Sequence, residues 1–185
     1  MIYTCLPADN RTGWGVCGAY VNGQLGRLRL IALIPPHCPP GRVDGPFLCA
    51  MFPHSHEPGL GHIRGTRNCG YTFFERNFEA MRNIDNAWRY WDWVAVGSSW
   101  CERWLRQAGF PNCSTVVQGV DHAIFHPAAE VRDREHFVVF SGWCFQFRKA
   151  QDVVIAAMRV MMQRHADVCL AASWETQLAL KVLSR

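Results

Sequence analysis

At 185 residues, 49% of them hydrophobic and 18% charged, the chain can hold one ordinary domain or two small ones, and it is too apolar for disorder, a collagen-like repeat or a coiled coil. Its formal charge of +4 is spread evenly, with nine basic and seven acidic side chains in residues 1–92 and ten and eight in 93–185, so no basic tail or acidic block points to nucleic acid. Only two of the nineteen basic residues are lysines, Lys149 and Lys181, which makes the place of each informative.

The first ten residues carry neither a charged leader nor a long apolar run. The longest aliphatic stretch, Leu30 to Ile34, is stopped by Pro35 and Pro36, far short of the roughly 20 residues a bilayer span needs. A soluble, cytoplasmic chain with no transmembrane segment is expected. Between these lies Gly13-Trp14-Gly15-Val16-Cys17-Gly18, which matches the dinucleotide spacing G-x-G-x-x-G. Residues 8–12 separate it from any preceding strand, and no acidic residue follows at the distance that would hold a ribose. It therefore predicts a glycine-rich strand-to-helix turn beside a substrate cleft rather than a nicotinamide or flavin site.

Seven prolines between 35 and 68 predict loops and short strands. Cys49, His54, His56 and His62 are the one plausible metal group, but their spacing fits no zinc pattern, and histidines that bond locally or line a polar pocket are the expected reading. No metal is expected. Nine cysteines, an odd number without a Cys-x-x-Cys pair, predict reduced and mostly buried thiols. From Phe74 to Tyr90 the pattern predicts a helix, and Trp93 to Gly97 a buried parallel strand. Ser98 or Ser99 can cap a following helix of about ten residues, and Gly109 suits the left-handed position behind it. Thr115 to Gln118 reads as a further strand and Gly119 to Pro127 as a linker.

The last third is a βαβ unit: a strand at Phe137–Ser141, a helix from Lys149 to about His165, and a strand at Val168–Ala172. The whole is α/β with parallel strands. A strand ending in Ser141-Gly142, followed by a short loop with Arg148 and Lys149 and then a helix, places backbone amides and two cations where phosphates bind. A solvated Arg-Lys pair is the alternative reading of the same residues.

Four segments in order, Gly70 to Glu75 (GYTFFE), Asp92 to Ser98 (DWVAVGS), Gln118 to Pro127 (QGVDHAIFHP) and Phe140 to Asp152 (FSGWCFQFRKAQD), resemble the family 4 (group 1) glycosyltransferases of the GT-B fold. The resemblance runs from about Gly70 to Trp174, with residues 1–69 matching only through the Gly13–Gly18 segment. It implies a shortened Rossmann-like N-terminal domain over residues 1–126 and a partial C-terminal domain over 127–185. It also implies retaining transfer from a nucleotide-diphosphate sugar, generally without a metal or other cofactor, to a glycan, lipid or protein acceptor. By that resemblance Ser141, Gly142, Arg148 and Lys149 hold the donor diphosphate, where positive charge stabilises the departing group. Gly13, Gly15 and Glu75 lie on the acceptor side, although Glu75 reads equally as a carboxylate at a helix start. No catalytic residue is assigned.

The chain departs from the family pattern in three places. The family loop usually reads Ser-Gly-Gly with a later Lys-Gly, whereas this chain has Trp143 and Ala150. The family's E-x7-E motif has no counterpart, since no two of the glutamates at 57, 75, 79, 102, 130, 135 and 175 are eight apart. The expectation is a truncated transferase whose donor-side sheet, short of neighbours, self-associates. The competing class is a non-catalytic remnant or interaction module.

Overall fold

The computed structural model describes residues 1–9, 12–76, 81–127 and 136–175. The chain divides into two compact units, residues 1–122 and 123–185. In the first, strand β1 (Ile2–Cys5) leads into helix α1 (Gly13–Arg27), which returns the chain to β2 (Ile31–Leu33) lying parallel to β1. Two short strands, β3 (Gly41–Arg42) and β5 (Ile63–Arg64), pair with each other, and β4 (Phe47–Ala50) between them in sequence joins the other edge of β1. Then come β6 (Asn68–Thr72), helix α2 (Ile84–Tyr90), β7 (Trp93–Val96), helix α3 (Ser99–Gln107) and β8 (Cys113–Thr115). The main sheet has six parallel strands in the order β2-β1-β4-β6-β7-β8. This is a Rossmann-like α/β arrangement, and its strand order reverses between β1 and β4.

Such a sheet needs apolar cover on both faces, which is why its strands read as continuous apolar runs. On β7, Val94 and Val96 point to one face, into a core with Phe47, Met51, Leu105 and Phe110, while Ala95 points to the other, beside Leu6, Ala50 and Tyr71. Helices α2 and α3 cover the first face through Ala87, Cys101 and Leu105; α1 covers the second through Trp14, Cys17 and Val21. Ser98 caps α3, its hydroxyl accepting from the Cys101 amide at 3.2 Å, and Gly109 takes φ 99° behind it, both as the residue types predict.

Three local expectations are corrected. Over the stretch predicted as a helix from Phe74, the described residues are helical at Met81 and again over Ile84–Tyr90, with Asn83 left-handed at φ 56° between them; Phe74 to Arg76 are not helical, and residues 77–80 lie outside the description. The strand predicted at Thr115–Gln118 is instead Cys113–Thr115, held opposite Val94–Val96, and the chain leaves the sheet where β7 ends. Of the nine thiols only those of Cys49, Cys101 and Cys113 are buried, the others being half-buried.

Strand β8 is fastened by one carboxylate. Glu102 on α3 accepts from the amide and hydroxyl of Thr115 at 2.7 and 2.6 Å and from Arg106 Nε at 3.0 Å, while Arg106 Nη2 donates to the Cys113 carbonyl at 2.7 Å. The bonds from Thr115, helped by Arg106, hold the Glu102 carboxyl below the usual glutamate range. A folded-state value lower than the unfolded one, about 4.3 for a free glutamate, stabilises the fold above that pH, and the contribution fades as the pH falls through the lowered value. Glu102→Gln should therefore lower the melting temperature by several degrees at neutral pH and leave it close to the parent's in strong acid. Thermal melts of both proteins across the acid range check this; a gap that does not narrow with acid would rule the carboxylate out.

The second unit consists of β9 (Phe137–Cys144), a 3-10 turn (Phe147–Lys149), helix α4 (Gln151–Arg164) and β10 (Val168–Glu175). The two strands are parallel along their whole length, from Phe137 opposite Val168 to Cys144 opposite Glu175. The predicted βαβ unit is present with longer strands, and its helix starts two residues later than expected. Among the described residues no helix of either unit is long and apolar enough to cross a membrane.

Candidate functional site

In the second unit the residues singled out for phosphate lie on β9 and at the turn into α4. Ser141 and Gly142 do not end the strand as expected: they sit within it, opposite Ala172 and Ser173, so their backbone belongs to the ladder. The Ser141 hydroxyl accepts from Trp174 Nε1 at 3.1 Å. A Cβ on Gly142 would come within 2.8 Å of the tip of the Phe140 ring, an exposed side chain that can turn aside. Arg148 and Lys149 are solvent-exposed in the 3-10 turn, and Lys149 Nζ lies 5.9 Å from the centre of the Trp143 ring.

Behind them α4 begins without a side-chain cap, so its first amides have no capping oxygen, and buried Gln151 ties the helix start to β9 by donating to the Cys144 carbonyl at 3.0 Å. Two cations immediately before an uncapped helix start can hold an anion. Asp152 in the first turn already answers part of that positive end.

The backbone takes positive φ at two positions flanking this turn, one near the end of β9 and one at the start of α4. Trp143 has φ 105° and Ala150 φ 53°, conformations that cost a residue with a Cβ about 1–2 kcal/mol and glycine almost nothing. These are the two positions at which the motif resemblance would place glycine.

In the first unit the Gly13–Gly18 segment is not a turn. It is the first turn and a half of α1, capped by Thr12, whose hydroxyl accepts from the Gly15 amide at 2.9 Å. The glycines serve packing: a Cβ on Gly15 would lie 2.2 Å from the Asp9 carboxylate, and one on Gly18 would lie 1.9 Å from the Pro7 carbonyl oxygen. They let the segment after β1 fold back along the helix. Asp9 then accepts from the Thr12 amide at 2.9 Å, securing the cap. An open hollow of about 500 Å³ lies beside it, lined by Ala8, Asp9, Val16, Ala19 and Tyr20.

Glu75 is exposed just beyond the carboxyl end of β6, and the same strand end reaches the start of α1: the Trp14 and Phe73 rings meet edge to face at 5.2 Å, and Tyr71 and Phe73 at 5.0 Å. Gly97 has no side chain because the Phe73 ring occupies that space, 1.9 Å from where a Cβ would be. Gln118, arriving after β8, bonds to both the Cys17 thiol and the Tyr71 phenol. Burial pushes the Tyr71 and Cys17 groups up, and the Gln118 bonds partly oppose the shift. The structure thus gathers Gly13, Gly15 and the segment leading to Glu75 at the carboxyl edge of the sheet, together with Trp14, Cys17, Tyr71 and Gln118, to which the resemblance gives no role. The signal for Tyr71 and Gln118 was their place inside the motif segments.

The histidine group behaves as local structure. His62 Nε2 donates to the Cys38 carbonyl at 2.8 Å, and His56, fully buried, approaches the Asn83 carbonyl at 3.4 Å through Nδ1. Among the described residues no three His, Cys, Asp or Glu side chains are grouped to hold a metal ion. Neither a protein-family model nor a curated protein matches the chain.

Proposed function

We propose that the chain is the nucleotide-sugar-handling part of a retaining glycosyltransferase of the GT-B type. In this reading the donor diphosphate lies against Arg148, Lys149 and the start of α4, with Ser141 and Gly142 lining the approach. The bond from the sugar carbon to the diphosphate breaks with its electron pair going to the phosphate oxygen, which the two cations stabilise. The acceptor hydroxyl oxygen forms the new bond to that carbon on the same face, and its proton passes to the departing diphosphate oxygen. Arg supplies a planar fork and Lys a mobile point charge. On the first unit, the edge carrying Gly13, Gly15 and Glu75 is the acceptor side.

One observation carries the reading. The two residues that depart from the family's loop, Trp143 and Ala150, both hold positive φ, the backbone shape for which the family's glycines are suited. Arg29, His56 and Asn83 also hold positive φ, so the weight lies in the coincidence of Trp143 and Ala150 with the two motif positions and not in strain alone.

Titrating UDP and GDP into the parent chain and into Lys149→Ala by calorimetry tests it. Loss of one charge-assisted phosphate contact should weaken binding by roughly 1.5–3 kcal/mol. Equal affinity in the two proteins would overturn the site. No affinity in either would favour the second reading, an interaction module without turnover. That reading is supported by the way Trp174 and Trp143 already engage Ser141 and Lys149.

A further inference from the structure

We propose that Cys5 and Cys38 are a peroxide-sensitive thiol pair that closes to a disulfide across the carboxyl end of β1. Both side chains pack on one face of the main sheet, against the core that holds Cys49 and Ile63. The backbone brings them together. Ile34 extends the pairing of β2 with β1, its amide donating to the Thr4 carbonyl at 2.8 Å, which sets it beside Cys5. Pro35 to Cys38 then make a turn closed by the Cys38 amide on the Pro35 carbonyl at 3.2 Å. Such a turn returns its fourth residue to within about 7 Å of its first. Cys38 therefore comes back over the face on which Cys5 lies. Electrostatics agrees with the backbone: after burial, the neighbouring Cys38 is the next cause that pushes the Cys5 thiol up.

Access selects this pair. Cys5 and Cys38 are free thiols and half-buried, so a small oxidant reaches them, whereas Cys49, opposite Cys5 in the register of β1 and β4, is fully enclosed. His62 stands beside Cys38, because the pairing of Gly41 with Ile63 carries the residues before both strands to the same end. Its Nε2, which donates to the Cys38 carbonyl, lies 3.9 Å from Cys38 Sγ. An N–H donor is thus at hand for the oxygen that oxidation places on that sulfur. Among the described residues these thiols and His62 are not grouped to hold a metal ion, which leaves thiol chemistry.

The oxidant is hydrogen peroxide. The Cys38 sulfur attacks one peroxide oxygen, the O–O bond breaks with its electron pair on the departing hydroxide, and the thiol proton completes a water molecule, leaving a sulfenic acid. The Cys5 sulfur then attacks the Cys38 sulfur; the S–O bond breaks, and the oxygen leaves as a second water with the Cys5 proton. Two thiols have been oxidised and the peroxide reduced. The new bond fixes the turn at 35–38 to the end of β1, next to the point where the strand order reverses and where open parallel sheets receive their ligands. Neither thiol has a part in the sites proposed above, so the pair stands apart from glycosyl transfer.

The test is peptide mapping of the full chain after reduction, removal of the reductant, exposure to equimolar hydrogen peroxide under native conditions, and alkylation. The Cys5 and Cys38 peptides should be lost as alkylated species and return as one cross-linked species, which dithiothreitol reverses. In Cys5→Ser the reaction should stop at Cys38, where a dimedone adduct marks the sulfenic acid; in Cys38→Ser, Cys5 should remain a thiol. The oxidised parent should melt several degrees above the reduced one, because the link closes a long loop. A bond from Cys5 to Cys49, or survival of Cys5 and Cys38 as thiols while other cysteines oxidise, would overturn the proposal. So would a Cys5–Cys38 bond that forms only in urea, since the folded chain would then not bring the two together. The parent map decides by itself, whether or not the serine variants fold.

Discussion

Gly18→Ala should destabilise the first unit by about 3 kcal/mol, the upper part of the range for forcing a methyl group into packed surroundings. The alanine Cβ would fall 1.9 Å from the Pro7 carbonyl oxygen and 3.1 Å from Leu6 Cβ, so backbone rather than a yielding side chain has to move. Gly23 in the same helix is the internal control, with nothing within 4 Å of its would-be Cβ. Gly23→Ala should stabilise by about 0.5–1 kcal/mol through helix propensity alone. Urea unfolding followed by circular dichroism measures both. Two glycines giving the same sign would mean that residues 6–9 do not lie along α1, and the account of the glycine segment would fall with them.

Phe47→Ala should be costlier still, about 4 kcal/mol. Phe47 begins β4, next to the point where the strand order reverses, and is 1% exposed in the core that also holds Val94, Val96 and Leu105. Truncation removes a ring from a place where two parallel neighbours, β1 and β6, hold the backbone and prevent collapse around the gap. With total stabilities typically 5–15 kcal/mol, the variant should sit close to its unfolding threshold. Phe47→Leu, which keeps most of the volume, should lose less than half as much. A midpoint shift in urea corresponding to under 1 kcal/mol for Phe47→Ala would show that β4 is not central to this core.

The parallel architecture was legible wherever a strand is buried on both faces. Trp93-Val-Ala-Val96 cannot be amphipathic, and an apolar run of that length bracketed by Asp92 and Ser98 has few other outcomes. Ser98 and Gly109 were equally readable, because a cap and a left-handed stop each depend on one residue's own chemistry. What failed depended on contacts distant in sequence. Nothing near Gly15 and Gly18 reveals that Asp9 and Pro7 will lie against them, so a helix start reads as a strand-to-helix turn. Thr115 to Gln118 is β-branched enough to continue a strand, but β8 ends where its partner β7 ends. At the phosphate turn the residue types were visible and the register was not: Ser141 and Gly142 lie three and two residues inside the strand because β10 is as long as β9 and pairs with it throughout. The strain at Trp143 and Ala150 is invisible to composition, since neither residue type favours a positive φ.

The scattered cysteines give the molecule a built-in clock. Burial pushes the Cys49 thiol up to about 12, and it also raises Cys5, Cys69 and Cys113. A protonated, enclosed thiol reacts with an alkylating reagent only while the surrounding structure is open. Enclosed Cys49, Cys101 and Cys113 therefore time the breathing of the first unit's core, while half-buried Cys144 and Cys169 of the second unit react without such opening and set the fast reference. Mass spectrometry of a single alkylation time course would follow the first unit's core against that internal reference.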